Sequence, residues 1–126
     1  MKFLSFRKSG ASWLGVLADD GVIDLAAAQP NISPDFGVAL ASGVDLIAAA
    51  KAAIDSSAPR IPLASIEYAP VVPRPGKIIC LGLNYYDHAK EGGREKPDYP
   101  WFFFRGATSL IAHGEAGLRP RVSERQ

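Results

Sequence analysis

A single cysteine, Cys80, stands among the 126 residues, so neither an internal disulfide nor a zinc cage of cysteine thiolates can form. A reducing compartment suits that scarcity. Excess charge of one sign is also lacking, because fourteen Lys and Arg against thirteen Asp and Glu leave a net +1, and this gives no global field for nucleic acid or an anionic membrane. No apolar run approaches the ~18 residues of a membrane span. Lys2, Arg7 and Lys8 interrupt the stretch in which a secretion signal needs unbroken apolar residues. The expected location is cytoplasmic, with neither membrane nor nucleic acid as a partner. Internal repeats and low-complexity tracts are missing as well.

With 48% hydrophobic and 21% charged residues the composition is that of a globular protein. A chain of this length buries roughly two-thirds of the surface it exposes when unfolded. The charges are unevenly shared: residues 1–70 hold five basic and seven acidic groups, whereas 71–126 hold nine and six. An anionic small molecule would favour the second half.

Residues 2–7, 12–18 and 21–24 are short apolar and aromatic runs, separated by Ser9-Gly10 and Asp19-Asp20-Gly21. The Asp-Gly pair is a hairpin signal, and the three runs predict an antiparallel meander. Ala-rich stretches at 24–29 and 35–56 follow, in which Val44, Ile47, Ala48, Lys51 and Ile54 fall near helical spacing. One or two short helices should cover the meander. Prolines 59, 62, 70, 73 and 75 then crowd one stretch, each removing a backbone donor and pushing its predecessor toward extended structure. A connector is expected near residues 69–76, giving an α+β module over 1–70 and a second unit over 71–126.

That second unit opens on Lys77-Ile78-Ile79-Cys80-Leu81-Gly82-Leu83, a run that predicts a strand buried on both faces. Asn84 suits a helix N-cap, Asp87 a first-turn acid, and Gly92-Gly93 a stop. A proline-flanked loop at 97–100 leads into an aromatic strand, Trp101-Phe102-Phe103-Phe104, ending in Arg105. The aromatics read as core strand, since no basic groove of the kind single-stranded nucleic acid needs accompanies them. A further short strand is expected over 108–112, a turn at His113-Gly114-Glu115, and extended chain over 118–126. His113 reads as a turn residue and Cys80 as inert packing.

Chemistry is most legible in Asn84-Tyr85-Tyr86-Asp87-His88-Ala89-Lys90-Glu91, where His88 and Glu91 stand three apart and share a face of any helix there. A carboxylate beside an imidazole holds one ring nitrogen protonated and raises the basicity of the other, which can then take a proton from water or substrate. Spacing alone leaves a solvated helix face as the other reading. Gly82 lacks the spaced glycines of a phosphate-binding loop.

The run from Lys77 to Tyr85, followed by His88 and Glu91 and then by Pro-Trp-Phe-Phe-Phe-Arg at 100–105, resembles the start of the catalytic domain of the fumarylacetoacetate hydrolase family. Residues 1–70 are similar to the small variable module many members carry ahead of it. The resemblance implies a Mg²⁺- or Mn²⁺-dependent enzyme, commonly a homodimer, that acts on a C–C bond or enol–keto unit of a small 2-oxo or 1,3-dioxo acid. It implies a His88–Glu91 dyad that activates water, and hard oxygen ligands around the cation. Arg105 stands where many relatives have Lys, and is expected to grip a substrate carboxylate or else to sit in a surface ion pair.

One departure from the family pattern bears on the metal. In relatives a pair like Ser123-Glu124 is followed within a few residues by Tyr-Glu-x-Glu, and no Glu-x-Glu or Asp-x-Asp follows Ser123 before Gln126. The expectation is therefore an incomplete catalytic domain over 71–126, no metal bound by this polypeptide alone, and no hydrolase activity without the remainder. A truncated, non-catalytic remnant and a binding module built on residues 1–70 stay open as alternatives.

Overall fold

The computed structural model describes residues 1–122, and the pair Ser123-Glu124 falls outside the described residues. The architecture is α+β and divides into two compact units, the first formed by residues 1–74 with the segment from Ile111 onward and the second by residues 75–110.

In the first unit β1 (Phe3–Lys8), β2 (Ala11–Ala18) and β3 (Gly21–Asp24) form the expected meander, and β4 (Tyr68–Ala69) adds antiparallel to β1, giving the order β3-β2-β1-β4. Ser9 and Gly10 both take positive φ, 51° and 76°. That is the turn whose twist matches the two flanking strands. The second turn departs from the Asp-Gly reading. Ala18 pairs with Gly21, so Asp19 and Asp20 make the turn and Gly21 begins β3. Glycine is required there by a close approach: a Cβ would lie 2.6 Å from the Ile61 carbonyl oxygen, where Val22 and Ile61 exchange two backbone hydrogen bonds of 2.8 Å.

Three short helices cover the sheet: α1 (Leu25–Ala28), α2 (Phe36–Ala41) and α3 (Leu46–Ile54). Each starts at an aspartate whose carboxylate accepts backbone N–H groups, Asp24 from Ala27, Asp35 from Val38, and Asp45 from Ile47 and Ala48. Such a cap contributes about 1 kcal/mol. Gly43 at φ 75° separates α2 from α3. The core joins Leu14, Val16, Ile23 and Leu25 to Ile32, Ala39, Leu46, Ala50 and Ala53. The buried stripe of α3 is thus Leu46-Ala50-Ala53, not the one anticipated through Ile47, which is exposed. Small alanines let the helix approach the sheet closely, and that decides which face turns inward.

Residues 111–122 return to this unit. Ala112 is buried, and Glu115 accepts both the Ala112 N–H and Arg7 Nη2 at 2.8 Å. Arg7 also holds Glu67 at 2.8 Å, and His113, in the expected turn, meets the Tyr68 ring edge-on with centroids 5.0 Å apart. The expected strand over 108–112 is not formed. Ala107–Ser109 is a 3₁₀ turn in which the Ser109 hydroxyl and N–H both donate to the Gly106 carbonyl, a local alternative to strand pairing that serine favours.

The second unit is a hairpin of β5 (Ile78–Gly82) and β6 (Trp101–Arg105), antiparallel from Ile78↔Arg105 to Gly82↔Trp101, with α4 (Tyr86–Glu91) between them in sequence. Two expectations are corrected here. β5 alternates between half-buried and exposed residues, Ile79 being 57% exposed, and every residue of β6 is exposed, Phe104 by 70%. Strands with a single partner and no covering layer cannot bury two faces. Nor does Asn84 cap the helix: Tyr85 occupies the N-cap position and makes no side-chain hydrogen bond. The stop at Gly92-Gly93 is as expected. Gly93 at φ 63° lets its N–H reach the Lys90 carbonyl and the Arg94 N–H reach that of Ala89, the paired bonds of a Schellman ending.

Candidate active site

Helix α4 leaves the end of β5 through Leu83, a non-glycine residue at φ 49°. Its first-turn acid is Asp87, and Lys90 lies over the Tyr86 ring at 4.7 Å. Arg94, just past the helix, lies 5.9 Å from the Trp101 ring centroid. The ends of α4 are therefore held by the turn at Leu83 on one side and by the glycine stop on the other.

A cleft of about 300 Å³ opens within this unit, bounded by Gly82, Asn84, Tyr86 and Ala89 on one side and by Lys96 and Tyr99 on the other. It was not legible beforehand as a site. The available signal was the i, i+3 spacing of Tyr86 and Ala89 with the proline-flanked loop that follows.

His88 and Glu91 do not line that cleft, and both are exposed. At 100° per residue their face is turned about 160° from the one carrying Tyr86 and Ala89. They do share a face with each other, as residues three apart must. Among the described residues no side-chain hydrogen bond or ion pair joins them or occupies either side chain. The pair is thus open to whatever covers the outer face of α4.

Arg105 is placed differently. It pairs with Ile78 at the far end of the hairpin from Gly82 and Trp101, four residue rises or about 14 Å along the strand. It is exposed and, among the described residues, its side chain makes no hydrogen bond or ion pair. The hairpin therefore separates Arg105 from the cleft at the opposite end. Cys80, half-buried, pairs with Phe103 on the same ladder.

Among the described residues no three His, Cys, Asp or Glu side chains gather as a metal cage requires. A hard divalent cation takes six or more oxygen ligands, several of them carboxylate. The carboxylates of the second unit, Asp87, Glu91, Glu95 and Asp98, do not supply that set. The described residues do not fit Mg²⁺ or Mn²⁺. No helix among them is long and apolar enough to cross a membrane.

Comparison with known proteins agrees with this placement of the strand, helix and aromatic strand. The family described as fumarylacetoacetate (FAA) hydrolase C-terminal matches residues 77–126. The human mitochondrial oxaloacetate tautomerase FAHD2A is 31% identical over 105 residues, which is 82% of this chain and 33% of the relative. An uncharacterized protein of Methanocaldococcus jannaschii is 48% identical over 52 residues, 41% of this chain and 22% of that one. A crystal structure from Mycobacterium smegmatis, of a protein assigned to HpcE, superposes with a TM-score of 0.70 at 26% identity and covers 97% of this chain and 41% of that one. The chain spans about one third of the length of the human relative. Through residues 77–126 the chain belongs to the fumarylacetoacetate hydrolase family.

Proposed function

We propose that this chain carries the proton-handling part of an enzyme acting on a small 2-oxo or 1,3-dioxo acid, with His88 as the base and Glu91 as the group that orients it. The observation that carries the reading is the placement of His88 and Glu91 on one face of a six-residue helix that follows directly on β5 and ends at a Schellman stop. A rigid short helix can hold an imidazole and a carboxylate within reach of one another, since Cβ atoms three residues apart lie about 5–6 Å from each other. When the Glu91 carboxylate accepts one ring N–H of His88, the other nitrogen is left unprotonated and more basic. That nitrogen would take a proton either from water, for hydrolysis, or from the carbon beside the keto group, for enolisation.

The oxaloacetate tautomerase name borne by the human relative supports a 2-oxo acid and proton transfer at carbon. Arg105 is assigned to a substrate carboxylate within the same proposal. So are a homodimer, a cytoplasmic location in keeping with the single cysteine, and dependence of the whole enzyme on Mg²⁺ or Mn²⁺.

The test uses a polypeptide of the relatives' full length with added Mg²⁺ or Mn²⁺, assayed for oxaloacetate enolisation, oxaloacetate decarboxylation and acylpyruvate cleavage. His88→Ala should lower kcat by about 10²–10⁴, the usual contribution of a positioned base. Glu91→Gln should lower it less. Because both side chains are exposed, neither change should move the unfolding midpoint. Undiminished turnover of His88→Ala on all three substrates would remove the proposal.

A further inference from the structure

The first unit contains a second cleft, of about 490 Å³, unrelated to α4. It lies between the β3–α1 corner and the loop that follows α3; Ile23, Ala27, Ala28, Ala58, Pro59 and Ile61 give it a largely apolar wall, which Ser56 and Ser57 interrupt on the loop side. A volume of this size and a mostly apolar lining with a few convergent polar groups are the usual features of a small-molecule site.

The walls are fixed without any ligand. Arg60 donates to the carbonyls of Ile54, Ser56 and Ala58, tying the loop to the end of α3. Ser56 accepts the Ala58 N–H while its hydroxyl donates to the Ala53 carbonyl. Ile61 is bridged to Val22 by two backbone hydrogen bonds. A preformed cleft loses little ordering entropy on binding.

One end of the cleft is polar. Asp24, with only 8% of its side chain exposed, uses one carboxylate oxygen to accept the Ala27 N–H at 3.0 Å and the other to accept from Lys8 Nζ at 2.6 Å. The Lys8 ammonium also stands 4.4 Å from the Trp13 ring centroid, and the Lys8 side chain remains 44% exposed. Both Asp24 oxygens are therefore engaged, whereas an ammonium carries three donors and Asp24 takes one. What the cleft offers an incoming molecule is an apolar wall and a hydrogen-bond donor bearing positive charge.

The geometry points to a binding site for a small organic monocarboxylate, an apolar body with one carboxylate head received by Lys8. The site is separate from the His88–Glu91 reading and does not depend on it.

The test is a titration of the ¹⁵N-labelled chain with sodium benzoate, with benzylamine as the cation of matching shape. Benzoate should shift the amides of Ala27, Ala58 and Ile61 saturably at millimolar concentration, leave Ile79 in the second unit unmoved, and be unmatched by benzylamine. Lys8→Gln should weaken binding at least tenfold. Since that change leaves Asp24 without its partner, Ala28→Leu serves as a second variant that fills the cleft and keeps the charges, and it should abolish the shifts. Absence of saturable shifts, equal binding of benzylamine, or benzoate affinity retained in both variants would overturn the assignment.

Discussion

Replacement of Gly21 by alanine tests the packing that closes the first unit. The added Cβ would stand 2.6 Å from the Ile61 carbonyl oxygen and 3.2 Å from its carbon. Relaxation to an ordinary C···O separation of about 3.3 Å requires a shift of about 0.7 Å. The obstacle is backbone, so no side-chain rotation relieves it. That shift acts on the two 2.8 Å hydrogen bonds between Val22 and Ile61, each worth about 1 kcal/mol, and adds a steric cost of about 1–3 kcal/mol. A loss near 3 kcal/mol is expected, which is roughly a hundredfold rise in the exchange rate of amides that open only on global unfolding. Native-state hydrogen exchange of the β2 amides measures it. Gly10→Ala is the control, because Gly10 sits at φ 76° with nothing within 4 Å of a Cβ; it should lose only the conformational term of about 1 kcal/mol. Equal losses for the two variants would show that the approach of Ile61 does not govern the position.

Three further outcomes are expected. Leu14 is fully buried in the core, and Leu14→Ala should destabilise the first unit by about 2–5 kcal/mol in urea denaturation. Glu115 is held below the ordinary value of 4.5 by the Ala112 N–H and by Arg7, and Asp35 below 3.8 by Arg74 and then the Val38 N–H. A carboxylate lowered in the folded state stabilises above its unfolded value and loses that stabilisation as pH falls through the folded one. Stability should therefore fall on acidification below the ordinary carboxylate range, and Glu115→Gln should flatten the fall in a pH series of thermal melts. In a polypeptide of the relatives' full length, the proposed role of Arg105 predicts that Arg105→Met raises KM for a dianionic substrate with little change in kcat, whereas an unchanged KM would leave Arg105 a surface residue.

Much of the local structure could be read in advance because its causes lie within a few residues. The meander follows from three apolar runs and their turns. Helices were legible in the Ala-rich stretches at 24–29 and 35–56, although their starts at Asp24, Asp35 and Asp45 came only from the structure, and the stop of α4 follows from adjacent glycines. Around the site, the shared helix face of His88 and Glu91 was legible for the same reason. The position of Arg105 relative to the cleft was not, since it depends on which strand pairs with β5 and in what register.

By itself the sequence determined the meander, the helical character of the Ala-rich stretches, the strand–helix–strand order over 78–105, the spacing of the imidazole and carboxylate, and the family pattern that runs from Lys77. Those features follow from backbone preferences and periodicity, which act between near neighbours. Tertiary structure alone decided that Ala50 and Ala53 rather than Ile47 face the core, that Gly21 makes room for Ile61, and that Lys8 meets Asp24 across two strands. Each of these is a contact between residues far apart in the chain, settled by how volumes fit and how buried polar groups find partners, and no local pattern encodes it.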